Sequence, residues 1–163
     1  MPNHVTNIVK MDRICYCPIF SYRIDEGPAW IQFDFNKIIP MPAHIFNGDL
    51  DSAAFEKYGR DNWYNWSMDN WGTKWNSYNN RIINVNTVAF DAAWECPHPI
   101  MLKLSTMYPN TTIECWWSDE GNINGYQMYR NGECIGGICT DPMMEEEILI
   151  SCFGFLPAIV FER

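Results

Sequence analysis

The sequence predicts an α+β fold built on an antiparallel sheet, and three observations support this. Asn131 and Gly132 form the strongest short hairpin signal in the chain, because both residue types tolerate positive φ. An apolar stripe at i, i+4, i+7 and i+8, from Ile100 to Tyr108, predicts a helix that packs on a sheet. Polarity alternates in several stretches around that helix, which is typical of strands with one buried face. Strand, helix and then a strand meander indicate an α+β domain.

The first half predicts two strands and a short helix. Residues 4–11 alternate loosely in polarity, and residues 31–36 alternate strictly, so both are predicted strands. Residues 38–42 should leave the second strand in an extended turn, since each proline restricts the residue before it. A helix is predicted for residues 51–58, capped by its first acidic or serine residue and stopped by Gly59.

Residues 63–75 hold four of the eight tryptophans. Trp63 and Trp66 are three apart, and Trp71 and Trp75 are four apart, so each pair can share one face of a helical turn. Gly72 predicts a break between the pairs. Because large aromatic side chains bury the most area, we expect this stretch to belong to the core more than to a binding platform.

The second half predicts four strands and a helix. Residues 81–90 are apolar on both faces, which predicts a central strand. The helix should begin near Pro99 and end before Pro109. The remaining predicted strands, and a final helix or turn, cover residues 111–118, 123–130, 133–139 and 141–147.

Composition predicts a single domain, residues 1–163, without linkers or repeats. The first ten residues lack a basic region followed by an apolar run, so we expect a cytoplasmic protein. The apolar run 148–161 is interrupted by Ser151, Gly154 and Pro157 and is too short to span a membrane, so no membrane partner is expected. The seven cysteines should then be thiols.

Charge is divided unevenly along the chain, whose formal net charge is −9. Residues 1–81 hold nine acids and eight bases, whereas residues 82–163 hold eleven acids and three bases. Such a field repels nucleic-acid phosphate and attracts basic protein surfaces, so direct binding of double-stranded DNA is not expected. The candidate partner-binding residues are Asp119, Glu120, Glu145, Glu146 and Glu147.

The sequence gives little support for a metal site or for catalysis. The candidate metal ligands have spacings that differ from the usual zinc knuckle, so we expect no metal and no cofactor. They are Cys15 with Cys17, Cys96 with His98, and Cys134 with Cys139. A cysteine nucleophile would need a base from His4, His44 or His98, and no nucleophile motif surrounds any cysteine. We therefore expect a protein that is not an enzyme.

Aromatic side chains next to a basic residue keep binding of a small ligand as a further hypothesis. An aromatic pocket with one or two cations could hold a nucleotide. The candidates are Trp71 and Trp75 with Lys74, or Trp116 with Arg130.

Five motifs carry a family resemblance that spans nearly the whole chain. They are MPNHVTN, FDFNKIIPMP, NWGTKWN, FDAAWECPHP, and YP followed by a DEG turn. The chain resembles the YubB-type ferredoxin-like family of phage and plasmid proteins. The resemblance implies a ferredoxin-like antiparallel sheet with helices packed on one face, and it transfers no catalytic residue. Cys96 stands where that family more usually has Ser, so it receives no family role.

These observations together predict a binding protein of a mobile element, acting in the host cytoplasm. The favoured hypothesis is a phage counter-defence inhibitor of the anti-CRISPR kind, whose acidic surface docks on a host defence protein or nucleoprotein complex. The alternative is a small-molecule binder that sequesters a nucleotide signal of host immunity.

Overall fold

The computed structural model describes residues 3–23, 29–121 and 124–140, with side chains as far as residue 137. The strands and helices are listed in chain order. They are β1 (His4–Lys10), a 3-10 turn (Ile14–Tyr16), β2 (Phe20–Arg23), β3 (Trp30–Phe33), α1 (Phe35–Ile38), α2 (Ser52–Tyr58), α3 (Trp63–Trp71), β4 (Tyr78–Asn84), β5 (Thr87–Ala93), α4 (His98–Met107), β6 (Ile113–Asp119), β7 (Asn124–Arg130) and β8 (Glu133–Thr140).

The main sheet is antiparallel and has the order β4-β5-β1-β6-β7-β8. Its first four strands, with α3 and α4 as the connecting helices, give the β-α-β-β-α-β arrangement of a ferredoxin-like fold. The hairpin of β7 and β8 extends this sheet beyond β6. The strands β2 and β3 pair separately as a second, small sheet. The predicted ferredoxin-like α+β class is therefore confirmed.

The core lies between the main sheet and the helices. β1 is central, so five successive residues of this strand are buried. Aromatic rings fill the space beneath β5: Phe33 stacks on Phe90 with centroids 4.9 Å apart, and Phe35 meets Phe90 edge to face at 5.7 Å. Trp71 continues this cluster with its centroid 5.9 Å from that of Phe35. Burial of these rings is the main favourable contribution to folding here.

Local signals place the helix ends and the last hairpin as predicted. Asp51 caps α2 by accepting a hydrogen bond from the Ala54 amide, and Gly59 follows the helix. Gly72 ends α3 in the left-handed region with φ 73°, which favours glycine. Asn131 and Gly132 have φ 49° and 81°, as a tight hairpin turn with two positive φ values requires.

Two predicted strands differ from the structure. The prediction of one central strand over residues 81–90 is wrong, because the chain turns after Asn84 and returns as β5. The strand predicted for residues 31–36 ends at Phe33. Asp34 then accepts a hydrogen bond from the Asn36 amide and begins α1, so local capping overrides the alternating pattern.

Two sequence expectations concern residues beyond the described ranges. The helix or turn predicted for residues 141–147 and the apolar run 148–161 lie outside them. Among the helices that the structure describes, none is long and apolar enough to cross a bilayer.

His98 is held in a partly buried site at the start of α4. Its Nδ1 bonds the Tyr129 hydroxyl, which donates to Gln127 Oε1 over 2.7 Å. The Trp117 ring contacts the imidazole edge to face at 4.9 Å. Burial lowers the pKa of His98, while the nearby Glu95 carboxylate acts in the opposite direction. The neutral imidazole is therefore the form that the fold stabilises.

We expect this histidine to make the protein less stable as pH falls. The imidazole has a pKa near 6.5 in the unfolded chain, and the pKa of His98 is lower in the folded protein. Below about pH 6.5 the unfolded state therefore binds more protons than the folded state, and the free energy of unfolding falls. Urea denaturation at pH 7.5, 6.5 and 5.5 measures the effect. His98→Gln should weaken the dependence, whereas His44→Gln, at an exposed position, should leave it unchanged. Equal pH slopes in wild type and His98→Gln would contradict this account.

Candidate functional site

A groove runs between α3 and the loop of residues 39–50. Its volume is about 510 Å³. Three indoles line it, and we call it the tryptophan groove. The tryptophan groove is lined by Trp63, Trp71 and Trp75, by the polar residues Asp34, Asn36, Asn47, Ser67 and Asn76, and by Met41, Pro42, Ala43 and Ile45.

Trp71 is the most deeply buried tryptophan of the groove lining. Its side chain is 5% exposed, and its indole N–H donates to the Ile39 carbonyl over 2.9 Å. Trp66 meets it edge to face, with centroids 5.3 Å apart. A buried indole N–H without an acceptor would be costly, so this bond fixes both the ring and the start of the loop.

Trp63 fixes the other end of the same loop. Its indole N–H donates to the Gly48 carbonyl over 3.0 Å, and its backbone amide donates to the Phe46 carbonyl over 2.8 Å. The Phe46 ring stacks on Tyr58 of α2 with centroids 4.2 Å apart. The loop is therefore attached to helices at both ends, so the groove is a formed feature of the fold.

The polar side of the groove is organised by Asp34. Its carboxylate accepts hydrogen bonds from the Ser21 hydroxyl, the Asn36 amide and Asn76 Nδ2, at 2.5, 3.0 and 2.7 Å. Asn76 Oδ1 in turn accepts from the Phe35 amide over 2.9 Å. These bonds hold the Asp34 carboxylate and the Asn76 side-chain amide in fixed positions beside the indoles, and Asn36 Oδ1 accepts separately from the Met41 amide.

A cation lies beside the groove. Trp75 is half-buried and lines the groove, and Lys74 Nζ is 4.7 Å from the centroid of its ring. The same ammonium is 5.2 Å from the ring centroid of Trp94, an exposed tryptophan. Tyr64 meets Trp94 edge to face at 6.0 Å. Aromatic faces attract cations in this way, so the charge of Lys74 is held near the groove.

These features suit a small ligand with a flat ring. The volume lies in the range of about 300–1,000 Å³ that is usual for small-molecule sites. Indole faces stack on rings and exclude water, and fixed amides provide directional donors and acceptors.

The structure treats the two candidate sets of aromatic and basic residues differently. Trp71 and Trp75 line the tryptophan groove, and Lys74 lies against the Trp75 ring without lining the groove itself. Trp116 is buried on the other face of the sheet and packs against Tyr126, its partner across β6 and β7. Because Arg130 lies four residues beyond Tyr126 on β7, this set is not brought together.

The structure describes two of the five candidate acidic residues. Asp119 ends β6 and Glu120 follows it, with Glu120 Oε1 4.0 Å from His4 Nε2. The tyrosine beside them, Tyr78, bonds His4 Nδ1 over 2.5 Å. Burial, then Asp91 and then Glu120, raise the pKa of Tyr78 to about 12. The Asp91 and Glu120 carboxylates therefore lie near Tyr78 at this end of the sheet, and Asp119 directly precedes Glu120 in the chain. The remaining candidates, Glu145, Glu146 and Glu147, lie outside the described residues.

Two of the cysteines pack in the core, and the others described are partly or fully exposed. Cys96 and Cys115 are buried with their Sγ atoms 3.7 Å apart, and burial raises the pKa of the Cys96 thiol. His98 Nδ1 faces Tyr129, and Cys134 lies exposed on β8. Throughout the described ranges, no three of His, Cys, Asp and Glu are grouped to hold a metal ion.

Sequence reasoning missed the polar side of the groove. Asp34, Asn36 and Asn76 fall within the motifs FDFNKIIPMP and NWGTKWN, but their roles depend on contacts between distant parts of the chain. An acidic residue directly after a strand and before a helix was the available local signal for Asp34.

Comparison with known proteins supports the fold. Residues 70–149, just under half of the chain, match a family model described as the ferredoxin-like domain in Api92-like protein. No curated protein matches the chain. The crystal structure of protein api92 from Yersinia pseudotuberculosis is similar, with a TM-score of 0.49 and 20% sequence identity over 71% of this chain. The match covers 42% of that protein, so this chain spans less than half of its length.

The burial of two groove tryptophans predicts different effects of substitution. Trp71→Ala should lower the free energy of unfolding by about 3–5 kcal/mol, because it leaves a cavity and frees the Ile39 carbonyl. Trp75→Ala should cost about 1 kcal/mol, as is typical of a half-buried side chain. Urea denaturation of both variants beside wild type checks this. Similar losses in the two variants would contradict the division between a structural and a ligand-facing tryptophan.

Proposed function

We propose that this domain acts by binding a small molecule with a flat heteroaromatic ring in the tryptophan groove. The observation that carries the proposal is the placement of three indoles beside one carboxylate and several amides in a groove of about 510 Å³. Asn76 is fixed by its bonds to Asp34 and the Phe35 amide, and Asn36 by its bond from the Met41 amide. No charge transfer or covalent step is required, so the proposed activity is binding alone.

A nucleoside is the ligand class that these groups fit best. Bases stack on indole faces, and amide side chains can pair with both donors and acceptors on a base edge. The groove lining contains a carboxylate and no basic residue, and the chain carries a net charge of −9. Long polyanions such as nucleic acids would be repelled by that charge. A nucleoside carries no phosphate, so it is the uncharged counterpart of the nucleotide signal that the sequence suggests as the alternative ligand.

We expect adenosine or another nucleoside to bind the protein and to quench its tryptophan fluorescence. Titration with adenosine, guanosine, cytidine and uridine, followed by calorimetry, measures the affinity. Trp75→Ala should weaken binding by about 5- to 150-fold, since stacking of a base on an aromatic side chain contributes about 1–3 kcal/mol. Trp30→Ala is the matched control, because Trp30 is an exposed indole outside the groove.

Three results would count against this function. Absence of binding by all four nucleosides would exclude the ligand class. Equal weakening by Trp75→Ala and Trp30→Ala would place the ligand elsewhere. Binding of maltotriose in the absence of nucleoside binding would show that the indoles stack on a sugar.

A second candidate function rests on the carboxylates at one end of the sheet. Asp91 and Glu120 both raise the pKa of Tyr78, and Asp119 directly precedes Glu120 in the chain, so negative charge is concentrated there. Such a surface is suited to docking on a basic protein groove. The resemblance to phage and plasmid proteins suggests a host defence protein or nucleoprotein complex as the partner, with the domain acting as a counter-defence inhibitor in the host cytoplasm.

Charge reversal tests this second function. The double variant Asp119→Lys and Glu120→Lys should abolish inhibition of DNA cleavage by purified host nucleases that bind DNA in basic grooves. Asp49→Lys with Glu56→Lys is the matched control, because both residues are exposed and distant in sequence from β6. If wild type inhibits none of these nucleases, or if the double reversal inhibits as well as wild type, the acidic surface does not have this role.

A further inference from the structure

We infer that Lys74, held between Trp75 and Trp94, binds an anionic group of the ligand, so that the preferred ligand is a nucleoside monophosphate. This inference rests on the proposed function of the tryptophan groove. Trp75 connects the two, because it lines the groove and also contacts the ammonium group.

The position of Lys74 is restricted by two aromatic rings. Its Nζ lies 4.7 Å from the ring centroid of Trp75 and 5.2 Å from that of Trp94. A lysine side chain ordinarily has large conformational freedom, and ordering it on a ligand costs affinity. Contacts with two rings reduce that freedom before the ligand binds, and they do not neutralise the positive charge of Lys74.

That charge has no acidic partner in the described part of the chain. Two other basic side chains do have one: Lys10 Nζ is 3.8 Å from Glu114, and Arg60 is 2.7 Å from Asp69. Those two side chains contact carboxylates, whereas Lys74 contacts aromatic rings. An ammonium without a carboxylate partner, next to a groove that fits a base, is placed to receive a phosphate oxygen.

The backbone conformation of Trp94 also supports a binding role for Lys74. Its φ is 78°, a left-handed value that is strained for a bulky residue, and its side chain is 36% exposed. Its amide donates to the Asn3 carbonyl over 2.9 Å, and Tyr64 contacts its ring. The same indole lies against Lys74, and backbone strain of this kind is often found at binding sites.

The charge of the surroundings limits the ligand to few phosphates. Lys74 supplies one positive charge, whereas the groove lining contributes the Asp34 carboxylate and the chain has a net charge of −9. One phosphate can be matched by one ammonium. A triphosphate would bring excess negative charge into this field, so the monophosphate should be preferred to the triphosphate.

Calorimetry with adenosine, AMP and ATP tests the inference on four proteins. They are wild type, Lys74→Gln, Trp94→Gly and the control Lys103→Gln, whose lysine is exposed on α4. Wild type and the control should bind AMP at least about 10-fold more tightly than adenosine, an advantage that rising salt should reduce. Lys74→Gln should lose this advantage and keep its affinity for adenosine. Trp94→Gly should also lose most of the advantage, and its melting temperature should stay equal or rise.

The outcomes separate the two proposals. If no protein binds adenosine or AMP, the proposed function of the groove fails. If adenosine binds but AMP binds no more tightly, or if the advantage of AMP survives Lys74→Gln, the groove function stands and the role of Lys74 is overturned. A lower melting temperature of Trp94→Gly with an unchanged AMP advantage would show that Trp94 is structural.

Discussion

The hydrogen bond from the Trp71 indole to the Ile39 carbonyl joins the parts of the molecule on which the groove depends. Trp71 ends α3, packs on Phe35 at the start of α1, and is almost completely buried. An indole buried this deeply needs an acceptor for its N–H, and the loop after α1 provides it. The same residue therefore belongs to the core and also lines the groove.

A division of roles among the tryptophans follows from this constraint. Trp71 and Trp63 use their N–H groups to hold the loop of residues 39–50 in place. Trp75 lies half-buried at the groove, and Trp94 is exposed beside it. Trp63 and Trp71 therefore help to form the groove by holding this loop. Binding to a formed site of this kind avoids much of the cost of ordering side chains.

The parts of the fold that depend on local chemistry could be predicted from the sequence. Asn131 and Gly132 define the last hairpin because few residues accept two successive positive φ values, and Gly72 ends α3 for a related reason. The strand predicted over residues 81–90 was wrong because both β4 and β5 contain apolar residues, and the turn between them carries no glycine or proline.

The groove depends on contacts that are distant in sequence. Asn76 bonds Asp34 across 42 residues, and Trp71 bonds Ile39 across 32. Composition and spacing cannot identify such pairs, although the tryptophan-rich stretch and Lys74 were recognisable as an aromatic set with a cation. The acidic residues 145–147 were equally recognisable, but local patterns give no position for them in space.

The central claim is that the tryptophan groove is the ligand-binding site, and the indole N–H signals of the protein test it most directly. Each of the eight tryptophans gives one signal in a ¹⁵N correlation spectrum, assigned by single Trp→Phe substitutions. On titration with AMP, we expect the signals of Trp63, Trp75 and Trp94 to move in proportion to saturation, while that of Trp30 stays fixed. Movement of Trp30 or Trp116 with the groove signals unchanged, or no movement of any signal, would contradict the account.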